Sequence, residues 1–249
     1  VELSLNTILI LFGVGAIAGF INTNAGGGST LTLPALIFAG LDTATANGTN
    51  RIAILLQNMS GVASFRNQKV YGLRLALMYG LFTIPGAIAG AFFSIKLSDV
   101  WFQRILGIIM IAIVLSLIVS PQRKTGAEQE VKNPGWGFYL SLLGVGFYGG
   151  FIQVGVGFVL MAALFGFLKT SLVRVNFYKL TIVFVYTIPT LAFFVLTGNV
   201  DWPSGLSLAT GNIAGAWIGA HMSVKKGDTF IRYVLIVTIL ILAVKLLLR

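Results

Sequence analysis

The sequence predicts an all-α polytopic membrane protein: two inverted-topology repeats of about five apolar segments each, with short broken or re-entrant hairpin helices at the start of each half. Three observations lead there. Of 249 residues, 57% are hydrophobic and only 10% charged, against about 25% charged in a soluble domain. Long stretches hold no charge at all. The second half repeats small-residue motifs of the first in the same order.

Residues 3–41, 75–95, 105–122, 133–168, 180–200 and 202–224 contain no Asp, Glu, Lys or Arg. A spanning helix needs roughly 20 mainly apolar residues. The stretches lack the alternation of an outer-membrane barrel strand, so helices must satisfy the backbone in lipid. Ten segments follow, at about 4–21, 28–40, 45–65, 73–94, 102–120, 136–152, 156–168, 172–197, 204–222 and 230–248. The one clearly hydrophilic stretch, Pro121 to Pro134, divides the chain into a first transmembrane repeat (1–120), a cytoplasmic linker (121–135) and a second repeat (136–249).

The halves match in pieces. Leu11-Phe12-Gly13-Val14-Gly15 corresponds to Leu142-Leu143-Gly144-Val145-Gly146, and Gly19-Phe20-Ile21 to Gly150-Phe151-Ile152. Gly86-Ala87-Ile88-Ala89-Gly90 corresponds to Gly211-Asn212-Ile213-Ala214-Gly215. Repeats of this kind are common in secondary transporters, with the substrate held where they meet. The GxxxG pairs are read as close helix packing.

The net charge is +10. Its bases cluster between apolar segments, which points to the positive-inside rule rather than to nucleic acid. Arg66, Lys69, Arg74, Arg123, Lys124, Lys132, Lys169, Arg174, Lys225, Lys226 and Arg232 fall on one side of the threading, and Glu2, Asp42, Asp99 and Asp201 on the other. The basic side is expected to be cytoplasmic, with both chain ends outside a cell (inner) membrane. Trp101, Trp136 and Trp202 lie at segment ends, as interface anchors do.

The chemistry concentrates where segments break. Asn22-Thr23-Asn24-Ala25-Gly26-Gly27-Gly28-Ser29-Thr30 does not suit a lipid-facing helix. Glycine lets the chain turn and lets another group approach closely, and irregular backbone is tolerated at membrane depth where protein or a water-filled cavity surrounds it. The helix starting near Ser29 would offer unpaired N–H groups and a positive dipole end to an anion. Gln153-Val154-Gly155-Val156-Gly157 stands at the matching place. Glycines used only for packing are the alternative at both breaks.

Arg51 and Lys179 are the cations inside apolar stretches, and no acid in the spans offers a partner. Such residues are functional candidates, since Arg can fork onto an oxyanion and Lys acts as a point charge. Snorkelling to an interface is the alternative. The candidate substrate-binding set is Asn24, Gly27, Gly28, Ser29, Asn50, Arg51, Gln57, Gln153, Asn176, Tyr178 and Lys179, with Asn58 beside Gln57. The expected partners are a small anionic substrate and the lipid bilayer. With no cysteine and one histidine, His221, no metal, cofactor or catalytic residue is expected, and no enzyme.

Together these features resemble the sulfite exporter TauE/SafE family of membrane transporters. The resemblance rests on Gly19-Phe20-Ile21, Gly26-Gly27-Gly28-Ser29 with Pro34, Ala46-Asn47-Gly48-Thr49-Asn50 and Gly86-Ala87-Ile88-Ala89-Gly90, and on Gly146, Gly149-Gly150, Gly155, Gly157 and Gly211–Gly215 in the second copy. It implies transport of a sulfur oxyanion or organosulfonate such as sulfite. The second copy lacks the triple glycine and has Phe165 near the place of Pro34. An anion channel, a transporter of another small organic acid, and a chromophore protein with Lys179 as a Schiff base are the rival expectations.

Overall fold

The computed structural model describes residues 4–106, 108 and 134–247. The expected fifth segment lies mostly outside these residues, and the expected linker almost wholly so. Every regular element described is helical: α1 Leu5–Asn24, α2 Ser29–Phe38, α3 Thr43–Asn67, α4 Leu73–Ser94, α5 Trp136–Phe151, α6 Val156–Leu168, α7 Leu172–Leu196 and α8 Trp202–Leu247. Residues 99–106 are also helical. Helices α1, α4 and α7 are long and apolar enough to cross a membrane. The last two expected segments are both present. The span labelled α8 is two helices that meet at a kink at Gly227, whose φ of 70° and ψ of −166° are not helical. Glycine reaches that backbone region without a Cβ clash.

The exterior is apolar, and the polar side chains of the spans are turned inward among an apolar core, as a lipid solvent demands. Leu9, Ile10, Ile17, Leu81, Phe93 and Leu140 are exposed, whereas Asn47, Asn50, Asn58, Gln57 and Gln153 are buried. Helix α3 shows why. Its sequence is too polar for a lipid-facing span, and it lies against α7 and α8 inside the molecule.

Helix pairing is reciprocal. The first helix of the first half, α1, lies along α8, the fourth of the second half. The first helix of the second half, α5, lies along α4. Helix α3 also meets α8, and α7 meets α4. Glycines make the closest crossings possible. Gly15 and Gly19 face the backbone at Leu208 and Asn212, while Gly211 and Gly215 face the carbonyls of Phe12 and Ala16. Gly146 and Gly150 face Thr83 and Ala87, while Gly86 and Gly90 face Leu143 and Phe147. A methyl at any of these eight positions would overlap main-chain atoms of the neighbour, so the GxxxG pairs pack helices, as small residues do within membranes.

All four described acids serve helix N-termini, where negative charge complements the dipole. Asp42 caps α3 through the Thr45 N–H (2.9 Å) and Asp201 caps α8 through Ser204 (2.9 Å). Asp99 accepts from the Thr43 N–H (3.2 Å), and Asp228 accepts from Leu172 (3.1 Å) and Val173 (3.2 Å) at the start of α7.

Candidate functional site

Two breaks position the site. Helix α1 ends at Asn24, turns through Gly26 (φ 92°), and restarts as α2 at Ser29. Helix α5 ends at Phe151, turns through Gln153 (φ 65°) and Gly155 (φ 71°), and restarts as α6 at Val156. Gln153 holds a left-handed conformation that non-glycine residues rarely adopt, and such conformations gather at functional sites. The two turns meet. Gly26 and Gly157 lie against each other's backbone with no room for a methyl on either.

Each break exposes one helix C-terminus and one N-terminus, and the two kinds of end are treated differently. Fully buried basic side chains hold the C-termini. The Arg51 guanidinium, from α3, donates to the carbonyls of Gly149 (3.2 Å) and Gly150 (2.5 Å) at the end of α5. It also donates to Thr190 Oγ1 (3.2 Å) and Asn47 Oδ1 (3.4 Å), and lies 4.7 Å from the Phe194 ring centroid. The Lys179 ammonium, from α7, donates to the carbonyls of Asn22 (2.9 Å) and Thr23 (3.0 Å) at the end of α1, and to Asn176 Oδ1 (2.8 Å), with Met161 Sδ at 3.5 Å. Two asparagines complete the pattern: Asn47 donates to the Phe151 carbonyl (2.9 Å) and Asn176 to the Asn24 carbonyl (3.2 Å). Thus the third helix of each half clasps the broken first helix of the other.

This differs from a reading of Arg51 and Lys179 as two bare charges converging on one point. Their partners are neutral, and each cation holds two backbone carbonyls at a helix end. A search of the sequence for acidic partners could not find them, because a carbonyl's position at a helix end is set by the fold. Snorkelling is also ruled out, since Arg51 is 0% and Lys179 1% exposed.

The N-termini of α2 and α6 carry no side-chain cap and no acid in their first turn. Both open onto one small cavity of about 10 Å³, room for about one water molecule. Its walls are Ser29, Val156 and Gly157 from the two N-termini, Asn22, Asn58, Gln153 and Lys179 as the other polar members, and Ile54, Leu180 and Val183. Asn58 Oδ1 and Gln153 Oε1 are buried and have no partner. Two uncapped N-termini and the Lys179 ammonium bring positive potential to the cavity, and the free amide oxygens of Asn58 and Gln153 add acceptors to the same wall.

Of the expected residues, Ser29, Gln153 and Lys179 line this cavity. Gly28 packs on Ala18, and the Gly27 carbonyl accepts from Thr30 Oγ1 (2.6 Å). Asn24 bonds Phe20 and Ser223, and Asn176 bonds Lys179. Arg51 lies at the other clasp. Tyr178 joins an aromatic cluster with Tyr79 and Phe177, against Gly72, away from the cavity walls. Asn50 and Gln57 are buried with side-chain atoms that have no partner, but neither lines the cavity. Asn58, expected beside Gln57, also lines it, and the residues outside the expectation are Asn22, Ile54, Val156, Gly157, Leu180 and Val183. Asn22 belongs to the polar run before the triple glycine, which was the signal for it. Among the described residues, no group of His, Cys, Asp and Glu is placed to hold a metal.

The profile of the family described as Sulfite exporter TauE/SafE matches residues 11–246. The chain is 28% identical over 247 residues to a probable membrane transporter protein of Haemophilus influenzae, covering 98% of this chain and 96% of that one. It is 30% identical over 241 residues to the probable membrane transporter protein YfcA of Escherichia coli K12, covering 96% and 88%. It is 26% identical over 266 residues to the probable membrane transporter protein YunE of Bacillus subtilis, covering 94% and 96%. No solved structure matches the chain.

Proposed function

The chain belongs to the sulfite exporter TauE/SafE family of membrane transporters, and from that premise we propose that it carries a small oxyanion, a sulfite or organosulfonate, through the cavity between the two breaks. One observation carries the reading: the uncapped N-termini of α2 and α6 and the Lys179 ammonium surround the same cavity. Backbone N–H groups at Ser29 and Gly157 would donate to the anion's oxygens, and Asn58 and Gln153, whose NH2 groups here donate to Ile54 and Thr187, would turn those groups toward it on binding. Lys179 would supply charge from the wall while it keeps its clasp on α1. This assigns Arg51 to holding the second break and leaves Asn24 and Asn176 as supports.

The cavity as described has the size of a water and is smaller than any polyatomic anion. The described conformation is therefore read as closed, with Gly26 against Gly157. Binding requires the breaks to part. Because α1 packs on α8 and α4 on α5 across the two halves, the bodies that part would be these cross-paired bundles, each holding helices of both repeats, in a rocking motion of the alternating-access kind.

The test is flux of radiolabelled sulfite into proteoliposomes, with taurine, sulfate and acetate as competitors. Saturable uptake, blocked by sulfonates more strongly than by acetate, supports the carrier. Unsaturable flux of chloride as readily as sulfite would favour a channel.

A further inference from the structure

Carbonyl groups at the C-terminal ends of broken helices are where secondary transporters commonly seat a coupling sodium ion or proton. Here those ends are filled by the protein's own cations. The Lys179 ammonium has three oxygen partners at 2.8–3.0 Å, all in the interior: the carbonyls of Asn22 and Thr23, and Asn176 Oδ1. Its partner shell holds no carboxylate, and the four described acids are all engaged at helix N-termini. The seat is thus a neutral cage of oxygen dipoles around one monovalent charge. Arg51 fills the corresponding seat at the end of α5.

We propose that the Lys179 position is a monovalent-cation seat occupied by a tethered ammonium in place of a free coupling cation. Transport then proceeds without external sodium, and a chain lacking this ammonium binds a small free cation at the same oxygens. The seat rests on geometry alone. Only the sodium statement rests on the transporter reading.

Lys179→Ala removes three methylenes and the ammonium, atoms that propylammonium restores. The first measurement is thermal unfolding of the purified detergent-solubilised protein, read by tryptophan fluorescence, in choline chloride with added propylammonium, ammonium, potassium or sodium. The variant should unfold at lower temperature than the parent in choline. Propylammonium or one of the small cations should raise its unfolding temperature saturably, with no such rise in the parent. Lys179→Met, whose side chain fills the space, should show no rise; if the alanine variant fails to fold, Lys179→Ser, which leaves the same oxygens open, takes its place and should show the same saturable rise. No saturable shift in a folded Lys179→Ala protein overturns the seat, as does an equal shift in the methionine variant. The second measurement is sulfite uptake by the parent in sodium against choline. Equal uptake is expected, and at least tenfold dependence on sodium overturns the tethered-cation claim. Absence of sulfite uptake in either salt would instead count against the substrate reading and leave the unfolding result to decide the seat.

Discussion

Gly13 and Gly15 lie two residues apart in α1, and the structure separates them sharply. A side chain at Gly13 meets nothing within 4 Å, whereas one at Gly15 meets the Leu208 carbonyl and the Asn212 main-chain nitrogen. Leucine at Gly13 should therefore stabilise the helix by up to ~1 kcal/mol through propensity alone. Leucine at Gly15 must push α1 from α8. Overpacking typically costs about 1–3 kcal/mol, and here the obstructing atoms are backbone, which has no rotamer to change. The two variants should thus differ by roughly 2–4 kcal/mol, with opposite signs against the parent. The second half supplies an internal replicate, since Gly144 is open while Gly146 meets the Thr83 carbonyl. Thermal unfolding in detergent, followed by the fluorescence of the four tryptophans, reads all four proteins. Similar shifts for Gly13→Leu and Gly15→Leu would refute the crossing, as would a Gly144 and Gly146 pair that does not follow the same order.

Three further outcomes follow from the same geometry. Arg51→Met leaves the Gly149 and Gly150 carbonyls without their donors, and a lost hydrogen bond to a charged group is worth about 1.5–3 kcal/mol. A markedly lower unfolding temperature is expected, and Arg51→Lys should recover only part of it, because an ammonium cannot reproduce the fork. Asp228→Ala removes the acceptor for the first N–H groups of α7 and should lower stability by about 0.5–2 kcal/mol, measured by the same unfolding assay. The chain has no cysteine, so single cysteines report sidedness directly. A membrane-impermeant maleimide added outside intact cells should label Tyr71→Cys poorly and Trp202→Cys well, and the reverse pattern would invert the threading.

Much of the architecture was legible in the sequence. The apolar segments located the described helices to within a few residues, because lipid leaves the backbone few other choices. The register between the Gly86 and Gly211 motifs was also visible, since close crossings admit only the smallest residues. The interior was harder to read. Arg51 and Lys179 stand out in apolar surroundings, but their partners are carbonyls at helix ends on the other half of the chain. Nothing in a carbonyl's own residue announces that role. Of the neighbours Gln57 and Asn58, Asn58 reaches the cavity with Ile54 because α3 turns that face toward α7, a choice that composition does not reveal. Tyr178 is one residue before Lys179 and faces elsewhere, since adjacent helical positions point about 100° apart. The two segments expected at 204–222 and 230–248 are the two helices that meet at the Gly227 kink of α8.

The central claim is that an oxyanion sits where α2 and α6 begin, beneath the Lys179 ammonium. Concentration-dependent sulfite uptake by proteoliposomes bearing Asn58→Leu, which closes the cavity with an apolar branch, tests it most directly beside Gly13→Leu on the lipid side. The account predicts a rise of at least tenfold in the half-saturating concentration for Asn58→Leu, and none for Gly13→Leu, at equal amounts of folded protein. Unchanged saturation in the Asn58 variant would contradict it.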